Sequence, residues 1–173
     1  MFKKMPRSVG IEATKLYEML LTKGCDAGDA KLKVVELYSP PRVTKELGKL
    51  PILSLVAGSC FDLRMDASGR SWDFRREADR RECRKRIAKE KPYMVIGSPP
   101  CVDWCLLNVN FNHKTMDHAE VHRRETEARV LLDFAAEIYT MQLRAGRHFL
   151  HEHPASAKSW SHWSIRDLLQ EPR

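Results

Sequence analysis

The stretch YMVIGSPPC, residues 93–101, decides the fold class. A short apolar run, β-rich at its centre, follows Pro92 and ends on Gly97, the pattern of a central strand buried on both faces. The chain then passes through Ser98 and two prolines, neither of which can donate to a ladder, and presents Cys101. Three readings of that thiol are open: a nucleophile, a metal ligand, or a small core residue at a turn.

Working outward, KVVELYS (33–39) reads as a second buried strand, ended by Pro40-Pro41, and RHFLHEH (147–153) as a third, closed by Pro154. Helical patterns lie between them. Residues 75–90, RREADRRECRKRIAKE, hold good helix formers and stop at Lys91-Pro92. In residues 121–145, Ala128, Leu131, Leu132, Ala135, Ile138, Tyr139 and Gln142 share one face, and Gly146 ends the helix. The spacing also predicts a helix over IEATKLYEMLLTK (11–23), a loop over 25–30, a short helix over RVTKELGKL (42–50) and a loop over 108–118. SWSHWSIRDLLQ (159–170) offers a capping box of Ser164 with Asp167. Residues 51–74, punctuated by Gly58 and Gly69, read as short strand ends at SCFDLR and SWDF.

Strands alternating with helices predict an α/β fold: a Rossmann-like three-layer sandwich with a mostly parallel sheet. Residues 1–30 read as an N-terminal helix and arm, and 31–173 as the α/β domain. In such sheets ligands bind outside the carboxyl ends of the strands. Three strand ends, Glu36 to Ser39, Ser98 to Cys101 and His151 to His153, would bring a thiol, carboxylates and imidazoles to one rim.

Composition narrows the setting. The 173 residues suit one domain, and a net charge of +7 with a pI of about 9.3 favours a polyanionic partner. Between Arg64 and Lys91 there are 11 Lys and Arg against 6 Asp and Glu, which reads either as a phosphate-tracking stretch or as a solvated helix face. No apolar run approaches the ~18 residues of a membrane span, and the basic start lacks the apolar segment of a secretory signal. Cys25, Cys60, Cys83, Cys101 and Cys105 make an odd count, best suited to a reducing compartment. The expectation is an intracellular protein, cytoplasmic or nuclear, without a membrane partner.

A thiol acts through its thiolate and needs a lowered pKa or a nearby base. Pro99-Pro100 would stiffen the Cys101 loop, and Glu152 at the neighbouring strand end could act as a general acid. Such a pair suits addition of a thiolate to an electron-poor ring whose nitrogen is protonated. A zinc reading, Cys101 and Cys105 with His113, His118 and His122, fits no common module closely.

These residues resemble the DNA cytosine-5 methyltransferases, of the type found in mobile-element and phage proteins. GSPPC (97–101) is similar to their proline-cysteine motif, HEHP (151–154) to their Glu-Asn-Val/Pro motif, and KVVELYS to their first motif. The resemblance covers about residues 33–155 and implies S-adenosylmethionine as cofactor and nucleic acid, DNA first, as partner. It implies Cys101 as nucleophile at cytosine C6 and Glu152 as acid at N3. It implies cofactor contacts from Glu36, Tyr38, Ser39, Asp62, Asp73, Ser98 and Pro99, and substrate contacts from Pro100, Trp104 and His153. The chain departs from the family at Ser39-Pro40-Pro41-Arg42, where the family has a bare Gly-x-Gly loop, at Val102 and at His153. No target-recognition segment precedes Arg173, which implies an incomplete fold, further domains beyond Arg173, or a degenerate relative. SPPC also resembles the Ser-Pro-Pro-aromatic motif of amino-methyltransferases, with Trp104 near the aromatic position.

Overall fold

The computed structural model describes residues 31–47, 49, 54–64, 69–106 and 111–170. The helix expected over 11–23 and the loop over 25–30 lie outside them. The unit from Lys31 onward is built on four strands: β1 (Leu32–Leu37), β2 (Leu55–Phe61), β3 (Met94–Gly97) and β4 (His148–His151). They pair in the order β2-β1-β3-β4, and every pairing is parallel. The fold is therefore α/β with a Rossmann-like sheet, smaller than a full doubly wound domain.

The crossovers are α1 (Val43–Leu47) between β1 and β2, α2 (Glu77–Glu90) between β2 and β3, and α3 (His118–Arg144) between β3 and β4. A short α4 (Trp163–Leu168) follows. The chain leaves β1 towards β2, then returns past β1 to build β3 and β4 on the other side. Right-handed crossovers taken in opposite directions land on opposite faces. Side-chain parity agrees. Val35, Leu37, Val95 and Phe149 meet Cys83 and Ile87 of α2 and Phe134, Ala135, Ile138 and Tyr139 of α3. Glu36, of opposite parity, meets Thr44 of α1. Burying each large side chain of this core contributes roughly 1.5–3 kcal/mol. The reversal of strand order between β1 and β3 makes a topological switch point, where such sheets open a crevice.

The expected strands and helices are present, with three corrections. SWDF is not a strand end: Ser71 to Asp73 are irregular and Phe74 begins a turn into α2. Its aromatics override local β propensity by plugging the core, with Trp72 edge-on to Phe61 at 4.8 Å and both Trp72 and Phe74 buried. The capping box of Ser164 with Asp167 does not form. Ser164 already lies inside α4, where its hydroxyl meets Nδ1 of His162 at 3.0 Å, and Asp167 pairs with Arg166. Part of the expected 108–118 loop is helical, with one turn at His113–Thr115.

The long α3 starts where Asp117 accepts the N–H groups of Ala119 and Glu120, three residues before the start at 121 expected from the sequence. Beyond it the chain turns at Gly146, whose φ of 67° suits glycine. The β1–β2 register slips between Val34 and Glu36, where β2 carries an extra residue at Gly58–Ser59. A Cβ on Gly58 would lie 2.8 Å from the Val35 side chain and 2.9 Å from the Val34 carbonyl, so the bulge requires glycine. Among the described residues no helix is long and apolar enough to cross a membrane.

Candidate active site at the strand ends

The ends of β3 and β4 are joined by a buried polar chain. Gly97 is opposite His151 in register, and a Cβ on Gly97 would fall 1.9 Å from the Tyr139 hydroxyl. The glycine that ends the apolar run is therefore there to admit a phenol from α3. That hydroxyl lies 3.1 Å from Nδ1 of His151, while Nε2 of His151 is buried without a partner among the described residues. Burial, with His153 adjacent, lowers the His151 pKa to about 4 and keeps the ring neutral near pH 7.

His153 ties the two catalytic-candidate loops together. Its Nε2 lies 2.9 Å from the Pro99 carbonyl, which can only accept, so Nε2 carries the proton. Nδ1 then accepts from the Ser159 hydroxyl. Burial lowers its pKa as well. With both nitrogens engaged, His153 is a strut holding the proline loop against the end of β4, not a group presented to a substrate. The ladder extends past both strands: Ser98 N–H donates to Leu37 at 3.2 Å and Glu152 N–H to Gly97 at 2.9 Å.

On this frame stand the two groups singled out in the sequence. Cys101 is half-buried and begins a 3-10 turn (Val102–Trp104), and its Sγ has no hydrogen-bond partner among the described residues. Glu152 is exposed, and its carboxylate pairs with none of them. Pro99 is buried under the loop and Pro100 is exposed beside it. The turn after Cys101 is anchored through Asp103, which receives Arg124 at 2.8 Å and faces His113 at 3.5 Å. His113 also faces Glu125 at 4.0 Å, so it is held among side chains of α3 and the turn. Among the described residues no three His, Cys, Asp or Glu side chains gather as a metal site. Trp104 is packed against Leu132, Ala136 and Ile165 and lies edge-on to His162 at 5.3 Å. It walls a hollow of about 180 Å³ with Asp103, Glu125, Ala128, Arg129 and Lys158.

The end of β1 is built differently. Glu36 is 2% exposed, and its Oε1 accepts Arg42 N–H at 3.0 Å, Thr44 N–H at 2.8 Å and the Thr44 hydroxyl at 2.7 Å. Ser39 donates to its other oxygen at 3.3 Å, and Cys60 approaches at 3.9 Å. The carboxylate thus organises the Ser39–Thr44 loop and the start of α1, taking the N–H groups that a glycine-rich loop would offer to a ligand. Tyr38 adopts φ 62°, turns its ring onto Phe74 at 5.1 Å and donates its hydroxyl to the Leu131 carbonyl at 2.6 Å. Tyr38 is thereby a core residue spanning the sheet end and α3.

At the end of β2, Asp62 has one buried carboxylate oxygen, Oδ2, with no partner among the described residues. Asp73 is engaged elsewhere: Arg75 donates to it through its backbone and guanidinium, and that pairing holds the Asp73 pKa below the usual carboxylate range. Of the carboxylates that the resemblance assigns to S-adenosylmethionine, Asp62 keeps an uncommitted oxygen among the described residues, and the Glu36 loop does not fit that group. The sequence does not mark Tyr139, Asp103 or Arg124 as site residues. Tyr139 carried only a core-face signal, and the Asp103–Arg124 pair has no spacing that marks it. No family model, curated protein or solved structure matches the chain.

Proposed function

We propose that this unit is a DNA cytosine-5 methyltransferase-like module with Cys101 as nucleophile and Glu152 as acid. The observation that supports this reading is the placement, just past adjacent parallel strands, of a thiol and a carboxylate that have no partner among the described residues, on loops braced by His153 and Asp103. Cys101 as thiolate forms the C–S bond at cytosine C6. The ring π electrons move towards N3, which takes the Glu152 proton, and the resulting enamine is nucleophilic at C5. A duplex base must leave the stack to be reached. The methyl donor of the resemblance, S-adenosylmethionine, would supply an electrophilic methyl when bound.

Covalent trapping tests this. A duplex carrying 5-fluorocytosine, incubated with S-adenosylmethionine, is expected to give a denaturant-stable protein–DNA adduct that Cys101→Ser abolishes and Glu152→Gln slows. An adduct that survives Cys101→Ser overturns the assignment.

One observation favours a second reading, a nucleic-acid-binding module without cofactor chemistry: the Glu36 carboxylate is engaged by its own loop, and Pro40 and Pro41 have no N–H to donate to a ligand. Calorimetry separates the two. No binding of S-adenosylmethionine at millimolar ligand selects the second.

A further inference from the structure

Helix α2 sorts its charges by side. Its four acids are all engaged: Glu77 with Arg80 and Arg84, Asp79 with Arg70, Glu82 with Arg86, and Glu90 with the Ser59 hydroxyl. Three of its cations are thereby taken, and Arg84 also reaches Glu137 of α3 at 2.6 Å. The other three, Arg81, Lys85 and Lys89, are exposed and make no ion pair among the described residues. They recur every four residues, so they form one stripe of about 12 Å along the helix. Three of the four acids are already ion-paired, and the fourth, Glu90, lies beside Lys89 at the far end of the stripe, so Arg81 and Lys85 have no unpaired acid of the helix to neutralise them.

We propose that this stripe binds the phosphate backbone of duplex DNA. About 12 Å at 3.4 Å per nucleotide covers three to four phosphates of one strand, within reach of long side chains. The stripe points in a useful direction. The start of α2 follows Phe74, which touches Tyr38 at the end of β1, so the helix begins near the rim of strand ends. Its far end enters a hollow of about 320 Å³ where Lys33 joins Arg86 and Lys89 beside Ser59 and Glu90. Exposed Arg76, 3.6 Å from Asp73, extends the positive edge towards the rim. A membrane surface fits less well, because the exposed neighbours of the stripe on α2 include no large apolar residue, only Ala78 and Ala88. For its DNA partner the proposal rests on the reading above, but its phosphate contacts need neither Cys101 nor a cofactor.

The experiment is fluorescence anisotropy on a labelled A·T-only duplex, without cofactor, as salt is raised from 50 to 200 mM. Such a duplex contains no cytosine, so failure of the thiol chemistry leaves this measurement untouched. Wild type is expected to bind with a log–log salt slope that Arg81→Gln/Lys85→Gln/Lys89→Gln reduces by about 3, with at least a tenfold loss of affinity at low salt. Lys31→Gln/Lys45→Gln/Lys114→Gln, equal in charge and placed elsewhere, is expected to change the slope far less. Thermal melts of both variants confirm folding. An equal loss in both triples, an unchanged stripe variant, no binding by wild type, or stripe-dependent binding to phosphatidylserine vesicles in place of DNA overturns the proposal.

Discussion

The ends of β1 and β3 sit side by side at the switch point, yet they treat their polar groups in opposite ways. At β1 the carboxylate of Glu36 faces inward and draws the following loop around itself. At β3 and β4 the proline loop is pinned by buried His153 and His151 is held by Tyr139, and the Cys101 thiol and Glu152 carboxylate beside them have no partner among the described residues. A group that closes its own loop is a structural device. A rigid loop that leaves a reactive group unpartnered is where chemistry is to be sought.

The contrast can be broken most sharply at Glu36. Glu36→Ala strands two backbone N–H groups, while the Ser39 and Thr44 hydroxyls keep the Pro40 carbonyl and Cys60, and it is expected to cost about 4 kcal/mol, whereas Glu36→Gln keeps an acceptor and costs about 1–2 kcal/mol, both read from urea unfolding. Next comes Gly97→Ala. With its Cβ 1.9 Å from the Tyr139 hydroxyl it is expected to cost about 3 kcal/mol. Combination with Tyr139→Phe is expected to recover part of that loss, so strictly additive effects would count against the close approach.

Acid probes the same pair of strand ends. His151 is neutral in the fold with its pKa lowered to about 4, against ~6.5 in the unfolded chain. Protonation therefore favours unfolding. Its contribution is fully present above about pH 6.5 and is lost as pH falls towards 4, by roughly 2–3 kcal/mol. His153, shifted in the same direction, adds to the loss. Urea midpoints at pH 7 and pH 4.5 are expected to converge in His151→Phe, and an unaltered acid slope in that variant would rule out its role. His153→Phe is expected to cost about 2 kcal/mol and to slow 5-fluorocytosine trapping without removing the thiol's reaction with iodoacetamide. At the small end, Glu152→Gln is expected to change stability by under about 0.5 kcal/mol while slowing trapping, the mark of an exposed group with no structural partner.

The sheet and its crossovers were legible because they are written in local signals. YMVIG and KVVELYS are apolar runs cut off by proline or glycine, and the face of α3 repeats at helical spacing. The rim was legible as topology, since parallel strands place Ser98 and Glu152 on the same side. What escaped depends on contacts between residues far apart in the chain. Nothing near Glu36 announces that its carboxylate will cap the loop instead of facing a ligand. Gly97 looks like a turn residue until Tyr139 is seen above it. Trp72 and Phe74 look like strand residues until Phe61 claims them for the core. His153 stands where the resemblance implies a substrate contact, and only its bonds to Pro99 and Ser159 reveal a strut.

The order of strands in space differs from their order of synthesis, and this gives the molecule a timetable. β1, made first of the four, ends up in the interior of the sheet, and β4, made last, ends beside β3. On the ribosome β1 and β2 can pair while β3 is still unmade, but β3 finds its second neighbour only after the whole of α3 has emerged. Gln142 marks that moment. Buried completely, its amide nitrogen donates to the carbonyls of Pro92 and His148, and its oxygen accepts from Arg147. Until residue 148 is available, that amide has the Pro92 carbonyl but not the second acceptor at the start of β4, so a nascent chain halted before β4 carries a half-latched α3 over a half-built sheet.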